Sequence, residues 1–149
     1  MRSRPFARGS IIGFVTAALL FGAVGLGGAW RKDAGMPPQY VSLLESADRL
    51  WTEYKRADSA YFDQGRTDAH AHALRLAGIQ DRLADVHGRW MQTDAPPGLE
   101  AVDMKVGLAL ELQMAAIGAE LVALLGDDPS YLDLSAELDG EYEMVVGDL

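Results

Sequence analysis

Residues 97–126 read PGLEAVDMKVGLALELQMAAIGAELVALLG. Leu99, Val102, Val106, Leu110, Ile117, Leu121 and Leu124 recur in steps of three, four and seven, so they line one stripe of a helix. Met104, Leu108, Leu112, Ala115, Ala119 and Val122 lie elsewhere round the same helix. A helix that is apolar on most sides is usually the central one of its fold. The stretch therefore predicts the core helix of an all-α domain, running from about Pro97 to Leu125 and ended by Gly126. Gln113 and Glu120, seven residues apart beside the stripe, are expected at its edge.

Outward from this helix the chain alternates between amphipathic runs and stop signals. Upstream, Thr93-Asp94-Ala95-Pro96-Pro97-Gly98 forbids helix continuation, because two prolines remove backbone donors and clash with the preceding turn. Before it, Leu76, Ile79, Leu83, Val86 and Trp90 form a seam in three and four steps, with Thr67 as the expected cap and Asp68 in the first turn. Earlier still, Tyr40, Leu44, Ala47, Trp51, Tyr54 and Tyr61 mark another helix, ending near Gly65. Downstream, Asp128-Pro129 is a start signal for a fourth helix with Tyr131, Leu134, Leu138, Tyr142 and Val145 on one face. Short loops between long helices predict antiparallel neighbours, hence an up-down four-helix bundle over residues 39–149.

At the other end lies IIGFVTAALLFGAVGLGGAW, residues 11–30, twenty residues without a charge. At about 1.5 Å per residue this spans a hydrocarbon core about 30 Å thick. A basic arm (1–10, with Arg2, Arg4 and Arg8) precedes it, and a linker (31–38) opens with Arg31 and Lys32 and continues through Ala34–Pro38. Trp30 suits the headgroup level. The expectation is a retained single transmembrane helix whose partner is the lipid bilayer. Three arginines before the span and two cations after it favour the amino end inside and the body outside the cytoplasm. The alternative is a signal peptide cleaved near Ala29, within Gly27-Gly28-Ala29, leaving a secreted or periplasmic body.

Charge is strongly asymmetric. Residues 1–32 hold five cations and no acid; the remaining chain holds eight cations and 22 acids, a net charge of −14. After Lys105 there are ten acids and no Lys or Arg. Such a body repels phosphate backbones, so nucleic acid is excluded as a partner class. The chain has no cysteine, which removes disulfides, thiol nucleophiles, covalently attached haem and lipidation at cysteine.

Candidate chemistry gathers around two histidines and two acids. Asp58 sits at a seam position of the first helix, between Tyr54 and Tyr61, where an apolar residue is expected. His72 lies four before Leu76 and so extends the second seam inward; Asp68, four before His72, shares its face as a ligand pair requires. The end of the first helix and the start of the second meet in an antiparallel pair, which brings Asp58 towards His72. A metal site of His72, Asp68 and Asp58 is one reading; a buried hydrogen-bonded Asp–His pair is the other. His70 points away from His72, about 200° round the helix, and His87 flanks the second seam. His72, His87, Met91, Met104 and Met114 supply the residue types of a haem pocket, but Met at helical spacing is ordinarily core filler, and no cofactor is expected. Nucleophile elbow, phosphate-binding glycine loop, zinc-protease motif and paired Glu-x-x-His are all absent.

The turn Thr93-Asp94-Ala95-Pro96-Pro97-Gly98-Leu99, its Ala/Leu-rich helix and the acidic helix after it resemble a pattern in uncharacterised bacterial exported helical proteins, anchored by a lipid or a single span. The resemblance covers roughly the second half of the chain and implies an exported, membrane-anchored helical bundle. It implies no catalytic residues, and the missing lipid-attachment cysteine departs from the family's lipoprotein members. Together these readings lead to a membrane-tethered, non-enzymatic interaction or scaffold domain, with a ligand- or metal-binding sensor bundle as the alternative.

Overall fold

The computed structural model describes residues 37–147. Among the described residues there are four helices and no strand: α1 (Pro38–Asp63), α2 (Ala69–Met91), α3 (Glu100–Gly126) and α4 (Ser130–Gly147). The basic arm, the uncharged stretch 11–30 and the linker up to residue 36 fall outside the described residues.

Local chemistry sets each boundary. Pro38 opens α1, where a missing N–H costs nothing. The chain leaves α1 through Gly65 and Arg66, both at positive φ (73° and 61°). Asp68, not Thr67, caps α2: its carboxylate accepts from the Ala71 N–H at 2.9 Å. α3 starts at Glu100, three residues later than the sequence reading, because Pro96, Pro97 and the positive-φ Gly98 are spent on the turn. Its left-handed terminal position is filled by Asp127 (φ 53°), so Gly126 is the last helical residue and not the residue beyond it. Asp128 then accepts from the Ser130 N–H and hydroxyl, which launches α4.

Each helix packs against the next in sequence, and α1 reaches α4 through long side chains. The paired residues define the bundle. Glu53 of α1 meets Arg82 of α2 at 2.7 Å, Tyr40 meets Asp103 of α3 at 2.7 Å, and Trp51 packs on Tyr142 of α4 at 4.5 Å between ring centroids. The core is apolar along most of its length: Leu44, Leu76, Ile79, Leu83, Val106, Leu110 and Ile117 are wholly buried. The expected seams of α1 and α2 are the buried ones except at their last members, Tyr61 and Trp90, which are half-buried. On α4 Leu138, Tyr142 and Val145 of the expected face pack on the core, whereas Tyr131 and Leu134 at its start are exposed and Ser135 is buried in their place.

α3 is long and apolar enough to cross a membrane, with half of its most apolar window buried inside the bundle. Its inner face explains that composition. Val106, Leu110, Gln113, Ile117 and Glu120 follow one another in 4-3-4-3 steps and are all buried, packed among the other helices. Gln113 (0% exposed) and Glu120 (2%) therefore sit in the core and not at its edge. The step of seven between Leu110 and Ile117 is simply the place where this seam carries a polar residue.

At the end of the bundle where α1 begins, Asp103 fastens three helices. Its Oδ1 accepts from the Tyr40 hydroxyl (2.7 Å) and from the Trp90 indole N–H (3.0 Å). The rim of the Trp90 six-membered ring lies against Gly107, where an added Cβ would come within 2.3 Å of Cη2 and 2.6 Å of Cζ2. The indole is pinned at its nitrogen and cannot step aside. Gly107→Ala should therefore lose about 1–3 kcal/mol through overpacking, despite the better helix propensity of Ala. Gly140→Ala, at an α4 position with open space around it, should gain about 0.5–1 kcal/mol. Denaturant melts of the two variants check this opposition of sign.

Candidate functional site

The other end of the bundle holds a second polar centre, assembled from all four helices. α1 contributes Tyr54 and Asp58, one turn apart on its inner face. α2 contributes His72 from its first turn, buried because the seam of Leu76 and Ile79 continues backward to it. α3 contributes Glu120, the last member of its inner seam, and α4 contributes Ser135 and Asp139.

Glu120 is the hub. His72 Nε2 donates to its Oε1 at 2.8 Å, and the Tyr54 hydroxyl donates to its Oε2 at 3.0 Å. The Tyr54 oxygen lies 3.4 Å from Ser135 Oγ, which itself donates to the Ala116 carbonyl at 2.9 Å. Asp58 Oδ1 lies 4.0 Å from His72 Nε2 and is buried without a hydrogen-bond partner. Tyr61 stacks on the His72 ring, with centroids 4.2 Å apart and planes 10° from parallel, which fixes the imidazole in place. Beside the centre, Lys55 forms an ion pair with Asp139.

Burial sets the electrostatics. Desolvation, reinforced by the charge of Glu120, pushes Asp58 up to about 8, so near neutrality Asp58 keeps a proton. Burial also raises Glu120 and Asp139, the latter against the opposing pull of Lys55, and burial lowers His72. The resting state is thus a neutral imidazole, one carboxylate and one carboxylic acid, a set that can hold a proton or exchange it for a cation.

Of the residues singled out in the sequence, Asp58 and His72 come together here and Asp68 does not. Asp68 is exposed, and its carboxylate is committed to the start of α2; Glu120 stands in the third place. His70 is exposed, as its spacing from His72 requires. His87 is half-buried on the α2 flank, 3.9 Å from Glu111. Tyr54, Ser135, Asp139 and Lys55 were not anticipated as members of the centre. The signal for Glu120 was present in the 4-3 spacing of Val106, Leu110, Gln113 and Ile117; none marked Ser135, whose role depends on how α4 is turned. The larger surface groove lies elsewhere, between α1 and α2, lined by Arg49, Glu53, Arg82, Asp85 and Arg89.

The raised Asp58 gives the metal-free chain a defined pH response. A carboxyl with a folded value above its unfolded one stabilises fully below the unfolded value, and that contribution is lost as pH rises through the folded value. Above pH about 7.5 His72 is neutral both folded and unfolded, so it adds no opposing slope. The melting temperature should fall between pH about 7.5 and 8.5, and Asp58→Asn should flatten that fall while raising the melting temperature at the alkaline end. Thermal melts in chelator across this window check it.

Comparison of the chain with protein-family models, with curated proteins and with solved structures found no match.

Proposed function

We propose that this chain is a membrane-tethered, non-enzymatic interaction domain: a single helix over residues 11–30 holds an up-down four-helix bundle outside the cytoplasm, and the bundle docks a helix of a partner protein. The up-down arrangement is supported by residue pairs that run in opposite order along neighbouring helices. Tyr61 stacks on His72 and Glu53 pairs with Arg82 between α1 and α2; between α3 and α4, Ser135 bonds to the Ala116 carbonyl. The tether is supported by the length of the uncharged stretch and its flanking cations. The exported helical proteins that the second half of the chain resembles have the same plan.

One observation carries the docking role. The outward side of α3 repeats at Met104, Leu108, Glu111, Ala115, Gly118, Val122 and Leu125, in unbroken 4-3-4-3-4-3 steps. Its large members point into solvent: Met104 is 71% exposed, Leu108 46%, Val122 46% and Leu125 68%. Such spacing is the seam by which one helix packs along another at a shallow angle. The small, exposed Ala115 at its middle allows close approach, while Gly118 is partly covered by Gln80 of α2. Charge selects the partner. Residues 100–147 hold eleven acids and one cation, so the seam suits an amphipathic helix whose apolar stripe is flanked by Lys and Arg.

A synthetic helical peptide with Leu at 3-4 spacing and lysine flanks should bind the full chain, more weakly at high salt. A peptide with the same Leu spacing and glutamate flanks should not bind. Leu108→Glu with Val122→Glu should abolish binding while changing stability by no more than about 0.5 kcal/mol per site, as for ordinary surface positions. Equal binding by both peptides, or self-association of the chain through this face, would remove the cationic-partner reading. Sequencing the amino terminus of the mature protein tests the tether: a start at Trp30 would mean that it is cleaved.

A further inference from the structure

We infer that Asp58, His72 and Glu120 form a site for one divalent first-row transition-metal ion, gripped between α1, α2 and α3. This inference is independent of the docking role of the opposite face of α3. One ligand atom from each residue lies within 4.8 Å of the other two. The separations from His72 Nε2 are 2.8 Å to Glu120 Oε1 and 4.0 Å to Asp58 Oδ1. With donor–metal distances of about 2.0–2.2 Å, ligand atoms of a tetrahedral site lie about 3.4 Å apart. That value falls between the two separations, so small side-chain rotations about fixed helices would seat the ion.

The surroundings are built as a ligand shell is built. Asp58 Oδ1, the oxygen that approaches His72, is buried and accepts no hydrogen bond. A buried acceptor left unmet costs free energy, and a cation would meet it. Tyr54 holds Glu120 by Oε2 and leaves Oε1 aimed at the histidine. Tyr61 fixes the plane of the imidazole, and the Tyr54–Ser135 contact ties the support to α4. Outer contacts of this kind orient ligands and tune affinity. The Asp58 side chain keeps 26% of its surface in contact with solvent, which gives the ion a way in and leaves a coordination position for water.

The donor set selects the ion. One imidazole and two carboxylates, in a chain without cysteine, favour zinc, manganese or ferrous iron over soft monovalent copper. The imidazole disfavours magnesium and calcium, which take oxygen ligands. On binding, the His72 proton moves from Nε2 to Nδ1 through solvent exchange, so the imidazole stays neutral; the Asp58 proton passes to water, and the two carboxylates neutralise the charge of the ion.

The test uses the full chain in mild detergent, stripped with chelator. Titration with zinc, followed by calorimetry, should show one equivalent bound and not displaced by hundredfold magnesium; cobalt should give the visible bands of a tetrahedral centre. Asp58→Asn should weaken zinc by at least about tenfold, and so should Glu120→Gln. Asp68→Asn and His70→Gln should leave it unchanged. Asp58 is partly exposed and Asn matches its volume, so that variant keeps the experiment decisive if Glu120→Gln fails to fold. Absence of the one-equivalent phase in the parent chain overturns the inference. So does binding that survives Asp58→Asn, or binding lost in His87→Gln, which would place the ion on surface groups.

Discussion

A carboxylate buried on the central helix constrains the whole molecule. Glu120 has no water to solvate it, and an ionised carboxylate in an apolar interior is tolerated only when its lone pairs are met. The chain meets them with one group from each of two other helices: the His72 imidazole from α2 and the Tyr54 hydroxyl from α1. Ser135 extends the contact to α4. Apolar packing along the middle of the bundle accepts many registers of nearly equal volume. The Glu120 centre accepts one, because sliding any helix by a turn leaves a charge or a hydroxyl unpaired. Asp103 does the same at the other end, with Tyr40 and Trp90 as donors. The bundle is fastened at both ends and greased in between.

Helix periodicity made most of this legible. The apolar positions of α1 and α2 were readable one by one, since each has a single wet face and a single dry one. The boundaries were readable to within a few residues, because proline, glycine and capping acids act locally. α3 resisted a full reading for a physical reason. Its apolar residues cover nearly the whole circumference, so periodicity alone does not separate inner face from outer, and Glu120 was expected at the edge. Asp68 was misplaced in the candidate site because a carboxylate at a helix start has two uses, ligand and cap, and spacing alone does not choose between them. On α4, acidic residues crowd around a short apolar pattern, and nothing local distinguishes Asp139 from its solvated neighbours; Lys55, 84 residues earlier in the chain, holds it. Partners so distant in sequence leave no local trace.

α3 thus carries two seams with the same 3-4 rhythm on opposite sides. The inner one contains Gln113 and Glu120 and is closed by the rest of the bundle; the outer one contains Glu111 and Ala115 and faces solvent. The polar members make the difference. Inside, Glu120 takes specific partners and fixes geometry. Outside, Glu111 and Ala115 interrupt a row of exposed apolar side chains. A single stretch of sequence thus carries both the core face of the fold and an exposed apolar face.

The joint between α1 and α4 differs in kind from the others. Three helix pairs are consecutive in sequence and close over short loops, whereas α1 meets α4 through side chains such as Tyr54, Lys55 and Trp51, across separations of 81 to 91 residues. Folding rate follows the sequence distance of the contacts that must form. The three hairpin contacts can form in quick succession, and the α1–α4 joint closes last because it confines the largest loop. By the same logic it opens first. Such an opening parts α4 from α1 while α4 stays on α3, its most extensive neighbour, and the Lys55–Asp139 side of the Glu120 centre then meets water. A buried centre that appears sealed in the native state would have an intermittent door, and α4 would be its leaf.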